Sequence, residues 1–200
     1  QMYYCFGCGA GGNAITFVME YESFTFPEAL KLLADRAGVN LPETEYTGEE
    51  RVKADRRSAF LEMNKLAANY FYYQLCQPHG KIGYDYFMKR ELTKETIRRF
   101  GLGYANKTSD DLYRYLKSKG YSDEFLKESG LVTIEERGTY DKFWNRVMFP
   151  IMDINNRVVG FGGRVLGDGE PKYLNSPETL VFDKSRNLYG LNYARSSRQK

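Results

Sequence analysis

The chain has 200 residues, 42% of them hydrophobic and 28% charged, with a formal net charge of +3. That is enough apolar material for one domain of ordinary size and a small companion, while no run approaches the roughly 18 apolar residues of a membrane span. The start QMYYCFGC lacks the charged head and apolar run of a signal peptide, and three cysteines are too few for a disulfide scaffold, so a cytoplasmic, soluble protein with no membrane partner is expected.

Charge is unevenly spread. Residues 137–200 carry 11 Lys and Arg against 6 Asp and Glu, whereas residues 1–136 carry 18 against 20. A cationic C-terminal third suits a polyanionic partner, because each phosphate that is neutralised releases condensed counterions; a solvated basic surface is the plainer alternative.

In chain order, QMYYCFGCGAGG reads as a short aromatic strand, a cysteine turn and a glycine loop. Asn13 can cap a helix carrying Ile15, Phe17, Val18 and Tyr21 on one face. A second helix opens near Thr25 and Pro27, turns Ala29, Leu30, Leu33 and Ala37 inward, and stops at Gly38. Residues 41–57, LPETEYTGEERVKADRR, are charged and poor in apolar side chains; they read as a linker, part of which extends the next helix. That helix, SAFLEMNKLAANYFYYQLCQ, places Phe60, Met63, Leu66, Ala67, Tyr70, Phe71 and Leu75 in register as core, with Cys76 as a buried free thiol. Short helices follow in GYDYFMKREL, TKETIRRFGLGYA, SDDLYRYLKSKGY and SDEFLKESGLV, the last three each opening on Thr or Ser. After Val132 the period falls towards two, and FWNRVMFPIMDINNRVVGFGGRVL reads as strands joined at Asp153 to Asn156. The loop-rich remainder ends in a helix start. The fold class expected is α+β, helices first and a mixed or antiparallel sheet second.

Cys5 and Cys8, in C-F-G-C followed by glycines, have the spacing of one knuckle of a tetrahedral zinc site. Four ligands are needed, and three sources compete: Cys76 and His79 as a second pair, a redox Cys-x-x-Cys needing no metal, or ligands preceding Gln1. GFGGR (160–164) and GAGGN (9–13) satisfy neither the dinucleotide fingerprint nor the P-loop; Gly162 and Gly163 suit a bulge or a close backbone approach. The segment PKYLNSPET brings Lys172, Tyr173 and Asn175 within four residues, a cation, a stacking ring and an amide that together can hold one nucleotide. Arg146, Arg164, Lys184 and Arg186 add charge nearby, the first two on expected strands where they must otherwise be solvated. Asp168, Glu170 and Asp183 read as solvated loop acids.

The segments YYCFGCGAGGNAITFVMEYESFTFPEALKLLADRAGV, YFMKRELTKETIRRFGLGYA, NRVMFPIMDINNRVVGFGGRVLGDGEPKYLNSPET and FDKSRNLYGL together resemble bacterial DNA primases of the DnaG type, in the family's order and spacing over nearly the whole chain. The resemblance implies a zinc-ribbon end at 1–40 with small helices, a linker at 41–57, and at 58–200 the N-terminal subdomain of the RNA polymerase core. It implies that Cys5 and Cys8 are the last two zinc ligands, the first Cys and the His preceding Gln1. It places Arg146, Arg164, Lys172, Tyr173, Asn175 and Lys184 at or near a groove for template and nucleotide phosphates. Where many relatives read D-R-F-R, this chain has Asp141, Lys142, Phe143 and Trp144, so that a direct phosphate contact is not expected at Trp144 and the indole is able to stack. Primer synthesis in the family uses Mg or Mn held by carboxylates of a following toprim subdomain, expected to be absent here, so the fragment alone is expected to be inactive. The implied partners are single-stranded DNA template, ribonucleoside triphosphates, RNA primer and, for the full protein, the replicative helicase. A non-catalytic single-strand-binding module is the competing function, and a redox or zinc-ribbon interaction domain the weaker third.

Overall fold

The computed structural model describes residues 2–22, 24–41 and 48–197, which form two compact units, Gln1–Lys53 and Ala54–Lys200. In the first, strands β1 (Met2–Tyr4) and β2 (Gly11–Asn13) pair antiparallel on either side of the cysteine turn, Tyr3 opposite Gly12. Asn13 leaves β2 as the cap of α1 (Ala14–Tyr21), its Oδ1 accepting from the Thr16 amide at 2.9 Å. Helix α2 (Phe26–Ala37) opens with a capping box in which Glu28 accepts from the Thr25 amide at 2.8 Å. It closes at Gly38, whose φ of 67° is the left-handed turn glycine adopts at least cost. Ala29 and Ala34 are its buried residues. Ala37, expected to face inward, is exposed, because the helix ends there and the chain turns away.

Of the expected linker, 42–47 lie outside the described residues. Positions 48–57 are helical and open the long helix α3 (Gly48–Cys76), the expected extension of that helix back into the charged segment; their Glu, Lys, Arg and Ala are strong helix formers. Phe60, Met63, Ala67, Phe71 and Leu75 are buried along one stripe, as the 3–4 spacing predicts. Cys76, at the last helical position, is exposed rather than buried.

Helices α4 (Lys81–Lys89), α5 (Lys94–Arg99), α6 (Asp111–Ser118) and α7 (Asp123–Ser129) follow. Thr93 and Ser122 cap α5 and α7 as expected, accepting from the Thr96 and Phe125 amides at 3.1 and 3.2 Å. Helix α6 departs from this pattern. No side chain at its own N-terminus caps it; Asp141, 29 residues downstream, accepts from the Leu112 and Tyr113 amides at 2.8 and 2.9 Å.

The main sheet has four antiparallel strands in the order β3 (Gly103–Ala105), β6 (Arg146–Met152), β7 (Val158–Val165) and β8 (Tyr173–Asn175), while β4 (Val132–Glu135) and β5 (Gly138–Asp141) form a separate hairpin. The β6–β7 turn falls where expected: Asp153 accepts from the Asn155 and Arg157 amides at 2.9 Å, and Asn156 takes a φ of 61°. The irregularity in this pair lies by Ile151 and Met152, not at Gly162–Gly163. PKYLNSPET, expected as loop, contributes β8.

Core lies on both faces of the sheet. Met148, Phe161 and Ala105 pack on one side with Phe60, Phe71 and Leu116. Val147, Phe149 and Tyr104 pack on the other with Leu75, Phe87 and Ile97. Gly163 is required by the first core, since a Cβ there would stand 2.9 Å from Phe143 and 3.0 Å from Arg146. Helix α8 (Leu191–Ser197) realises the helix start expected near the end.

Candidate nucleic-acid interface

Side chains of directly paired residues in an antiparallel ladder share a face. Arg164 pairs with Val147 on one side and Tyr173 on the other, and Gly162 pairs with Asn175. Arg164, Tyr173 and Asn175 therefore share one face, over strand β7, whose Gly160 and Gly162 leave the row beside Arg164 without side chains. Asn175 Oδ1 stands over Gly162, where an added Cβ would approach it to 3.1 Å.

Helix α4 borders this face. The Arg164 guanidinium lies 4.9 Å from the Tyr86 ring centroid and 5.7 Å from that of Tyr173, and that of Arg90 lies 5.5 Å from the Tyr86 centroid. Stacking holds these cations in place without neutralising them. Arg164 Nη1 donates to its neighbour's carbonyl, Val165 O, at 3.2 Å, and its buried Nε has no hydrogen-bond partner. A hydrogen bond from Arg164, then the charges of Arg164, Lys172 and Arg90, draws the Tyr173 phenol below its ordinary pKa. Tyr173 itself is 64% exposed, a ring face open to solvent beside three cations.

Lys172 is exposed at the start of β8, and its amide donates to Glu170 at 3.1 Å. Lys184 is exposed farther along. Two residues before it, Phe182 covers Gly160, 3.0 Å from where a Cβ would be; Gly160 lies four residues along β7 from Arg164, about 13 Å. The structure thus brings Arg164, Tyr173 and Asn175 together on one face, with Lys172 next to Tyr173 at its rim, and sets Lys184 apart in the segment after β8.

Arg146 does not join them. It pairs with Val165, which puts it on the opposite face from Arg164, and it is 3% exposed. The expectation that a strand arginine here is solvated is corrected: Nη1 donates to Pro171 O at 2.8 Å, and burial lowers the guanidinium's pKa. Arg146 ties β6 to the loop that leads into β8, and so positions Lys172 and Tyr173. Arg90, which sequence reading passed over, is the cation the structure adds. Tyr86 on α4 and Arg90 at its C-cap stand four apart, a spacing that puts them on one helical face, and that pairing was the available signal.

In the N-terminal unit, Cys5 and Cys8 are exposed on their turn. Hydrogen bonds from the Cys8 backbone and side chain, then from the Gly7 backbone, hold the Cys5 thiol below its ordinary pKa. Donation of this kind favours the thiolate that a metal takes, so the pair fits zinc as two of its donors. Among the described residues no group of three or more His, Cys, Asp or Glu converges on a metal position; His79, offered as a second-pair ligand, is bonded to Gln74 Oε1 at 2.5 Å. No described helix is long and apolar enough to cross a membrane.

The site is thus one sheet face of an α+β domain carrying clustered cations and an open tyrosine, in a chain that also bears a cysteine knuckle. Residues 70–195 match the family described as DNA primase catalytic core, N-terminal domain, and residues 1–49 match the CHC2 zinc finger. The chain belongs to the DNA primase catalytic core N-terminal domain family. It is 46% identical to the DNA primase of Clostridium acetobutylicum over 97% of its own length and 32% of that protein, and 44% identical to that of Geobacillus stearothermophilus over 98% and 33%. It thus spans about a third of the curated relatives it matches. Among solved structures, a DnaG primase catalytic domain bound to single-stranded DNA superposes with a TM-score of 0.67 at 40% identity, covering 74% of this chain and 48% of that one. The zinc-binding and RNA polymerase domains of Aquifex aeolicus primase give 0.61 at 33% identity, covering 98% and 47%.

Proposed function

We propose that this chain is the template- and nucleotide-phosphate-binding part of a DNA primase, an RNA polymerase that lays short primers on single-stranded DNA in the bacterial cytoplasm. The observation that carries the reading is the placement of Arg164 between Tyr86 and Tyr173, with Arg90 and Lys172 beside it. Phosphates of a strand or of an incoming ribonucleoside triphosphate would meet the guanidiniums and Lys172. A base would meet the open face of Tyr173, and Asn175 would supply a hydrogen-bonding edge over the glycine floor of β7. Lys184 extends the positive track, and Arg146 acts from behind by fixing the β7–β8 loop.

Cys5 and Cys8 would hold zinc as two of the four ligands of the ribbon, where the metal fixes the turn rather than reacting. Mg or Mn, when bound by carboxylates of the longer protein outside these 200 residues, would neutralise triphosphate charge and activate the primer hydroxyl. The present residues bind and orient, and the 200-residue chain alone extends no primer. The helicase partner likewise belongs to the longer protein.

Replacing Lys172 and Lys184 together by Ala tests this reading, with affinity for a short single-stranded DNA measured across a salt series. The log–log slope should become shallower by one to two ion equivalents, about 0.7 for each phosphate no longer neutralised. An unchanged slope would move the binding surface elsewhere. Ribonucleotide incorporation with magnesium, detected in this chain, would overturn the division of labour. A non-catalytic binding module would show the same binding, with no incorporation in the longer protein either.

A further inference from the structure

The chain has one tryptophan, Trp144, and it is 47% exposed. Its neighbours are both anchored. Phe143 is buried against Phe161, with ring centroids 6.4 Å apart. Asn145, in the left-handed region at φ 49°, donates its backbone amide to Asn106 O at 2.7 Å and its side-chain amide to Leu166 O at 2.9 Å, while its own carbonyl accepts from the Leu166 amide at 3.0 Å. A left-handed asparagine gripped from both sides fixes the loop's course. Asp141 anchors the other end through its two bonds to the α6 amides and its own amide, which donates to Ser109 O at 2.5 Å. Among the described residues no aromatic ring or cation lies over the indole. The loop is held on either side of a large, half-exposed ring.

The sheet register places the end of this loop relative to the cations. Arg146 at the start of β6 faces Val165 at the end of β7, and Arg164 faces Tyr173 at the start of β8. The loop bearing Trp144 therefore emerges at the same end of the sheet as Arg164, Lys172 and Tyr173. Strands β6 and β8 flank β7, two inter-strand spacings or about 10 Å apart. Lys142 precedes the ring by two residues, and Lys107 follows Asn106, whose carbonyl holds Asn145. An exposed, pre-organised aromatic face has the make-up of a platform for an unpaired base.

We infer that Trp144 is a second stacking platform, which takes a base of the single strand whose phosphates lie on Arg164 and Lys172. The inference rests on the phosphate-binding reading above and adds a base contact on a different loop. It binds by stacking, so it prefers unpaired nucleotides and reads no sequence.

The test titrates the chain with a dye-labelled oligothymidine, following anisotropy for affinity and tryptophan emission for stacking, and repeats the titration with an abasic strand of equal length. Because the chain has a single tryptophan, its emission reports this site alone. Thymidine strands should quench it, Trp144→Ala should weaken binding about tenfold at an unchanged salt slope, and Trp144→Phe should restore most of the affinity. The abasic strand should bind wild type and Trp144→Ala alike. Emission unchanged at saturation, with binding seen by anisotropy, overturns the platform and leaves the phosphate reading standing. Absence of binding at every salt concentration overturns both.

Discussion

Arg164 and Tyr173 stand directly opposite one another on adjacent strands, with the guanidinium 5.7 Å from the ring centroid. The arginine also draws the phenol's pKa down, so the pair behaves as one unit. Arg164→Lys keeps the charge but removes the planar stack between two tyrosines. It should weaken single-strand binding several-fold while leaving the salt slope close to wild type. Arg164→Ala should lower both affinity and slope. If the lysine variant binds as wild type does, the stack contributes nothing to the site.

Arg90 tests whether helix α4 belongs to the interface. Arg90→Ala should reduce the salt slope by about 0.7, the share of one phosphate on a single strand. Arg114, exposed on α6 and ion-paired with Asp110 at 2.6 Å, serves as control, and Arg114→Ala should leave the slope alone. Equal effects would indicate general charge attraction rather than a site.

The two central glycines of GFGGR should separate folding from binding. Gly163→Ala forces a methyl between Phe143 and Arg146 and should destabilise the domain by about 1–3 kcal/mol, read as a lower urea midpoint. Gly162→Ala meets only Asn175 Oδ1 at close range. Stability should change little there, with the deficit appearing in nucleotide or strand affinity. The reverse order of effects would contradict the assignment of faces.

Asp141 links folding to pH. Burial outweighs its two amide hydrogen bonds and raises its carboxyl to about 7, against 3.8 for an unperturbed group. Between those values the folded state holds more protons than the unfolded, so stability falls as pH rises through the window and levels off above it. Urea unfolding from pH 5 to 8 should show wild type losing roughly 1–3 kcal/mol relative to Asp141→Asn, whose side chain does not titrate. Parallel profiles would mean the carboxylate is ionised throughout. Asp141→Ala, which strips both acceptors from the α6 amides, should be the least stable of the three.

What the sequence discloses follows from how local each determinant is. Asn13, Thr93 and Ser122 accept from amides three residues on, the Thr25–Glu28 box closes over the same span, and each of these helices starts where its cap predicts. The cap of α6 comes from Asp141 on another element, so Ser109 and the acids beside it suggested a local cap that does not form. The stripe from Phe60 to Leu75 is periodic and its burial was readable. For residues 48–57 an extension of the helix was readable but not its length, because charged helix formers and linkers share a composition. The interface was half legible. Lys172, Tyr173 and Asn175 lie close in sequence, but the faces of Arg146 and Arg164 could not be read from strands buried on both sides. Arg90 reaches the site only through the packing of α4.

A cationic, stacked interface on the β7–β8 face is tested most directly by the affinity of the 200-residue chain for single-stranded DNA between 50 and about 300 mM salt, compared with that of the Arg90→Ala, Arg164→Ala double variant. Binding should fall linearly on log–log axes, with a slope shallower by about 1.4 in the variant. Binding independent of salt, or a variant slope equal to wild type, would rule that interface out.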